Sequence, residues 1–160
     1  MVRRMLRKGI VVALAALTLG VGGCSLDPRG SASKAIANFL GAVQRRDGAA
    51  MEVVLDRPAL RANLRDQLAA LGRSNGIDIG AGPSEFAMDR MITAPAIRRA
   101  QGHTTLPPAP TAPQVAALLK VEDKDHVCVQ DAAGACALSF ARRRGTWRLA
   151  GMAATGVKAP

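Results

Sequence analysis

The chain has 160 residues and a formal net charge of +10, a length that fits one domain with a single modest core. A net positive charge of this size is compatible with binding to nucleic acid, with binding to an anionic membrane surface, or with solubility alone. The chain has no tyrosine, and its aromatic residues, Phe39, Phe86, Phe140 and Trp147, are too few and too scattered for a base-stacking platform. Nucleic-acid binding is therefore excluded.

Residues 1–23 have the three parts of a secretion signal. A basic start (Arg3, Arg4, Arg7, Lys8) precedes an apolar run over residues 10–19, which is shorter than the ~20 residues of a membrane-spanning helix. The closing Val-Gly-Gly-Cys resembles the lipobox of bacterial lipoproteins, which implies cleavage between Gly23 and Cys24 and acylation of Cys24. Ser25 follows this cysteine and resembles the residues found there in lipoproteins that are sorted to the outer membrane. Losing the four basic leader residues leaves the mature chain at +6.

Residues 24–31, interrupted by Pro28 and Gly30, predict a short lipid-anchored tether, and residues 32–155 predict one α+β domain. The first helix is expected to begin with Ser31 or Ser33 as N-cap. A short second helix follows, and a third has Pro58 in its first turn and leucines at positions 60, 64, 68 and 71 on one face. Two further helices are predicted near Ser84, with an apolar face that includes Phe86, and over residues 93–97.

Residues 102–113 are rich in proline and predict an irregular linker, with one brief helix after it. From residue 127 onward the apolar residues alternate with polar or small ones, which predicts three short strands over residues 127–129, 136–140 and 147–149. The two connecting turns end in Gly134 and Gly145, which accept positive φ. We expect N-terminal helices packed on a three-stranded antiparallel meander, broadly NTF2-like or cystatin-like.

Four segments carry a family resemblance: Ala-Val-Gln-Arg-Arg-Asp at 42–47, the leucine-rich run at 55–68, Asp-Arg-Met-Ile-Thr at 89–93 and Trp-Arg-Leu at 147–149. Together they resemble DUF2939, a bacterial domain family of unknown function, over most of residues 34–150. The most specific part lies at 56–61, where the family usually has an aromatic residue in the place of Arg57. The resemblance implies an envelope protein and assigns no catalytic residue.

Few residues carry recognisable chemistry. His103, beside the proline-rich segment, is expected to be solvated, and His126 follows three acidic residues that suit an exposed strand end better than a metal cluster. Asp56, just before Pro58, is predicted to mark the start of the third helix. No GxSxG or HExxH motif is present, so we predict neither a catalytic set nor a metal or other cofactor. The basic turn Arg142-Arg143-Arg144 is a candidate contact for an anionic surface.

Cys128 and Cys136 are candidates for a disulfide in an oxidising compartment. If Gln130 pairs with Ala135, Cys128 points away from Cys136 and no bond forms. If the loop is one residue shorter and Asp131 faces Ala135, both cysteines lie diagonally on one face of the hairpin. The sequence leaves the two registers open.

These observations predict a non-enzymatic envelope module, held on the outer membrane through Cys24 and facing the periplasm. Its expected partners are the membrane, through the N-terminal lipid, and either an envelope protein or an anionic lipid surface. The alternative is an NTF2-like protein with a small-molecule pocket lined by Phe140, Trp147 and methionines.

Overall fold

The computed structural model describes residues 27–80 and 82–153, which form a mixed α+β domain. Helices come first and an antiparallel sheet follows, as predicted. The described helices are α1 (Pro28–Arg45), α2 (Gly48–Glu52), α3 (Arg57–Ser74), α4 (Glu85–Met91), α5 (Ala94–Gly102) and α6 (Ala112–Leu118). The described strands are β1 (Leu119–Val121), β2 (His126–Gln130), β3 (Cys136–Arg143) and β4 (Thr146–Met152).

Helix α1 begins earlier than predicted. The Asp27 carboxylate accepts hydrogen bonds from the backbone N–H groups of Arg29 and Gly30, both at 3.1 Å, and Pro28 occupies the first turn. The expected tether over residues 24–31 is therefore wrong from residue 27 onward, because an aspartate cap and an N-terminal proline start the helix before either serine. The predicted signal peptide, Gly23 and Cys24 lie outside the described residues.

Helix α4 faces α3 through charge more than through apolar contact. Glu85, Met88 and Asp89 lie on one face at helical spacing, and both carboxylates of that face bind Arg61 of α3. Met88 is buried, whereas Phe86 is 71% exposed beside Arg90. The expectation that Phe86 belongs to the apolar face is wrong, because α4 meets the domain through Met88 and the two ion-paired carboxylates while Phe86 is exposed.

The sheet has four antiparallel strands in the order β1-β2-β3-β4. The additional strand, β1, was missed because it is three residues long and follows α6 directly, so neither a turn nor an alternation marks it. At the opposite edge, Leu55 forms a parallel bridge with Leu149 of β4, and the Leu149 N–H and C=O bond the backbone of Val54 and Asp56 at 2.8 and 2.9 Å. This bridge brings the start of α3 against β4.

The core lies between α1 and the sheet. Phe39 of α1 packs edge-to-face on Phe140 of β3, with ring centroids 5.9 Å apart, and Trp147 of β4 donates its indole N–H to the Ser31 hydroxyl at 3.1 Å. The start of α1 therefore lies at the same end of the sheet as the β3–β4 hairpin.

The proline-rich segment is irregular over residues 103–111, which is shorter than the predicted 102–113 because α5 includes Gly102 and α6 begins at Ala112. Its path is held by Gln101, a buried residue whose amide donates to the carbonyl of Pro107 at 2.7 Å. Within residues 27–80 and 82–153, none of the helices combines the length and the hydropathy needed to cross a membrane.

Candidate functional site

The β3–β4 hairpin carries the basic turn in an unusual backbone conformation. Arg143 pairs with Thr146, so the loop consists of Arg144 and Gly145 alone, with φ values of 50° and 81°. Two consecutive positive φ values define the type I′ turn that matches the twist of a two-residue hairpin. Glycine accepts this conformation readily, but an arginine in it is uncommon. The turn therefore projects Arg144 at the tip of the hairpin.

The strand register places several of these side chains on one face of the sheet. Residues directly opposite in an antiparallel pair share a face, as do residues two apart in one strand, so Arg143, Thr146 and Arg148 lie together. The parallel bridge at Leu55 adds Asp56 beside them. They border an open cleft of about 620 Å³. The cleft is lined by Leu55, Asp56, Pro58, Arg142, Arg143, Arg144, Thr146 and Arg148.

Arg142 is held from two sides. Its Nε–H donates to Asp125 Oδ1 at 2.9 Å, and its guanidinium lies over the Trp147 ring at 5.6 Å from the ring centroid. The hydrogen bond from Arg142 lowers the pKa of Asp125 below its usual value. The charge of this arginine is thus balanced within the domain.

The other three arginines are less neutralised. The Arg143 Nε–H donates to Asp56 Oδ2 at 3.2 Å, while the other Asp56 oxygen accepts the Ala59 N–H that starts α3. Arg144 and Arg148 form no ion pair with the described residues. The Nε atom of half-buried Arg148 is itself buried and has no hydrogen-bond partner among those residues. The cleft therefore has donors that the domain leaves unused.

The remaining predicted site residues fall elsewhere. His126 binds Asp123 at an exposed position, with Nδ1 and Oδ2 2.8 Å apart, and Asp125 is engaged by Arg142. His103 is exposed. In the part of the chain that the structure describes, no group of three His, Cys, Asp or Glu side chains could hold a metal ion. Phe140 and Trp147, predicted as pocket lining, are buried in the core.

Cys128 and Cys136 form a disulfide, with Cα atoms 5.5 Å apart. Of the two registers left open by the sequence, the shorter loop occurs, since the Asp131 N–H donates to the Ala135 carbonyl at 2.8 Å. Gln130 then lies opposite Cys136, and a register shift follows so that Cys128 lies opposite Ser139. The two cysteines are diagonal neighbours on one face.

The sequence did not point to Arg148 as a site residue, and it indicated for Asp56 only a role at the start of α3. Arg148 lies two residues beyond Thr146, so extending the strand alternation from the turn would have placed it on the Arg143 face. The approach of Asp56 depends on the bridge between Leu55 and Leu149, which no local pattern indicates.

Comparison with protein families gives a match to the family described as Protein of unknown function (DUF2939), over residues 21–100. The chain belongs to this family. The match covers the segments at 42–47, 55–68 and 89–93 but ends before Trp147, so it is shorter than the resemblance suggested. No curated protein and no solved structure matches the chain.

The first residue of α3, Arg57, is held by ion pairs. Arg57 is bound by both Glu52 and Asp89, the latter at 3.3 Å. These partners raise the pKa of Arg57, with the Glu52 hydrogen bond as the largest cause. The arginine thus joins α2, α3 and α4 by charge.

Proposed function

We propose that this protein is a non-enzymatic envelope lipoprotein, acylated at Cys24 after cleavage at Gly23, that holds its basic hairpin against an anionic lipid surface of the outer membrane on the periplasmic side. The observation that carries the proposal is the arginine-lined cleft at the end of the domain where the chain enters from Cys24. Its arginines are Arg142, Arg143, Arg144 and Arg148.

Chain length supports this orientation. Asp27 is the third residue after Cys24, and these three steps of the chain span at most ~11 Å when fully extended. Helix α1 then rises only ~6 Å from Asp27 to Ser31. The Ser31 hydroxyl lies 3.1 Å from the indole nitrogen of Trp147, and Trp147 lies under Arg142. A lipid on Cys24 would keep the hairpin near the headgroups.

Electrostatics adds to the anchor. Basic residues near an anionic leaflet each contribute about 1 kcal/mol of attraction. Arg143 is 54% exposed, so its guanidinium can reach a headgroup without unfolding the hairpin. Stable anchoring takes more than one acyl chain or one chain with a basic patch. The lipid would therefore hold the protein on the membrane, and the arginines would determine which side of the domain faces the membrane surface.

The non-enzymatic character is proposed from the way in which the titratable residues are used. The carboxylates beside the cleft, Asp56 and Asp125, cap a helix and bind arginines, so they are held in structural contacts. The histidine nearest to an acidic side chain, His126, is an exposed partner of Asp123. Neither arrangement aims a general base at the cleft.

The test has an anchoring arm and a surface arm. In cells, wild type should incorporate a palmitate analogue and fractionate with the outer membrane, and Cys24→Ala should do neither. In vitro, the mature chain with Cys24→Ser should bind vesicles that contain phosphatidylglycerol but not neutral phosphatidylcholine vesicles. The double substitution Arg143→Gln and Arg144→Gln should weaken that binding about 30-fold, from about 1 kcal/mol for each arginine.

The matched control is the pair Arg65→Gln and Arg73→Gln, which removes the same charge from exposed positions on α3 outside the cleft. If the control pair weakens vesicle binding as much as the hairpin pair, then net charge alone attracts the protein and the proposed orientation is wrong. Co-purification of one envelope protein with the acylated form, without any vesicle dependence, would identify a protein partner instead.

A further inference from the structure

We infer that the arginine cleft is a specific binding site for a phosphate monoester, with Arg148 at its centre and Arg143 and Arg144 on its rim. This inference deepens the proposed function and rests on it for one thing, the presence of phosphorylated headgroups at the membrane. The specificity itself follows from charge, donor geometry and volume.

Charge selects the ligand class. Four guanidiniums line the cleft or its edge, and two carboxylates, Asp56 and Asp125, are bound to two of them. The local balance is therefore two positive charges, carried in effect by Arg144 and Arg148. A phosphate monoester carries close to two negative charges at neutral pH, whereas a diester carries one. The monoester is the ligand that neutralises the cleft.

Donor geometry indicates the central contact. The buried Nε–H of Arg148 has no acceptor among the described residues, although buried polar groups in folded proteins are nearly always paired. A guanidinium also presents its donors as a planar fork that matches two oxygens of a phosphate. Because Arg148 also lines the cleft, an anion bound there meets the same guanidinium.

Neighbouring contacts hold the rim in place. Asp56 fixes Arg143 through Oδ2 while its other oxygen is committed to the first turn of α3. The type I′ turn sets the direction of Arg144 through its backbone. The contact with Asp56 reduces the conformational entropy that the Arg143 side chain loses when a ligand binds.

The volume of the cleft exceeds the needs of a phosphate group. About 620 Å³ lies within the range of small-molecule sites, and the cleft is open on one side. Leu55 and Pro58 give it an apolar wall. The remaining space fits the glycerol or sugar to which the phosphate is attached.

The experiment uses the mature chain with Cys24→Ser, titrated at about pH 7.5, where the second ionisation of a monoester is nearly complete. The probes are glycerol 3-phosphate, which is a monoester, and dimethyl phosphate, which is a diester. The readouts are the dissociation constant and the NMR signal of the Arg148 Nε–H. We expect glycerol 3-phosphate to bind and to shift that signal, and dimethyl phosphate to bind at least about tenfold more weakly.

Two variants separate binding from folding. Arg148→Gln should weaken the monoester at least about tenfold, because a charge-assisted hydrogen bond is lost, and Arg65→Gln on α3 is the control that should leave it unchanged. Arg144→Asn removes a charge while placing at φ 50° a residue that tolerates this conformation. We expect weaker binding with an unchanged or higher urea midpoint, which a folding defect would not give.

A vesicle arm distinguishes the sources of the phosphate. Vesicles with phosphatidic acid are compared with phosphatidylglycerol vesicles of equal surface charge. Preference for phosphatidic acid that depends on Arg148 supports the site and assigns it to a lipid headgroup, and binding of glycerol 3-phosphate alone supports the site with a free ligand. Equal binding to both vesicles, unaffected by Arg148→Gln, with no response to glycerol 3-phosphate, overturns the inference while the proposed surface function stands. If the protein binds the monoester but Cys24→Ala still fractionates with the membrane, the binding site is supported and the proposed lipid anchor is wrong.

Discussion

Reduction of the Cys128–Cys136 disulfide should lower the free energy of unfolding by about 2.5 kcal/mol. The bond closes a loop with a sequence separation of 8 residues. In the chain-entropy description, opening a loop of that length returns about 8 cal/mol/K to the unfolded chain. For a domain of about 130 residues, the same change corresponds to a fall in Tm of about 9 °C.

Urea unfolding of the mature chain with Cys24→Ser, with and without a phosphine reductant, measures this difference. Reduction keeps every side chain in place, so it separates the cross-link from the packing of buried Cys128. The double variant Cys128→Ala and Cys136→Ala is the second measurement, and reductant should have no effect on it. A loss below about 1 kcal/mol on full reduction would show that the hairpin is already restrained in the unfolded chain and that the entropic reasoning is wrong. Two free thiols before reductant is added would show that the bond does not form.

Two further predictions concern stability. Gly72→Ala should destabilise the domain by about 1–3 kcal/mol in urea unfolding, because a Cβ there would lie 2.8 Å from the Ile77 carbonyl oxygen. Gly102→Ala, where the Cβ meets open space, is the matched control, and equal losses in the two variants would contradict the close approach. Because the Arg142 hydrogen bond lowers the pKa of Asp125, this pair stabilises the fold above the unfolded carboxyl pKa of ~3.9, and the contribution is lost as pH falls through the lower folded value. Wild type should therefore lose more stability than Asp125→Asn between pH 6 and pH 3, whereas parallel urea midpoints would show that the pair contributes nothing.

Local signals allowed most of the helical part to be predicted. Asp56 and Pro58 mark the start of α3, and Leu60 and Leu64 of its predicted apolar face are buried. Leu71 is 39% exposed because the last turns of α3 extend beyond Met152, where the adjacent strand ends. A periodic pattern indicates which face of a helix is apolar, but the length of the neighbouring element decides how much of it is covered.

The candidate site was predictable only in part. The basic turn was visible from Arg142 to Gly145, and glycine at its end indicated positive φ. The same reasoning could not supply Asp56, which meets Arg143 from a position 87 residues away in the chain. Pairing of distant segments depends on tertiary packing, so a sequence without other information shows the components of this cleft and not their assembly.

The family match ends at residue 100, yet the hydrophobic core does not. Phe39 packs on Phe140 of β3, and Leu55 has its bridge partner at Leu149. A fragment cut at the end of the match would keep the contacts of α1 with α2 but lose those with α6 and the sheet, and so expose part of the inner face of α1 to water. The boundary of what is shared in sequence is thus not a boundary at which this protein can be divided, and any relative with a different C-terminal half must cover the same helix by other means.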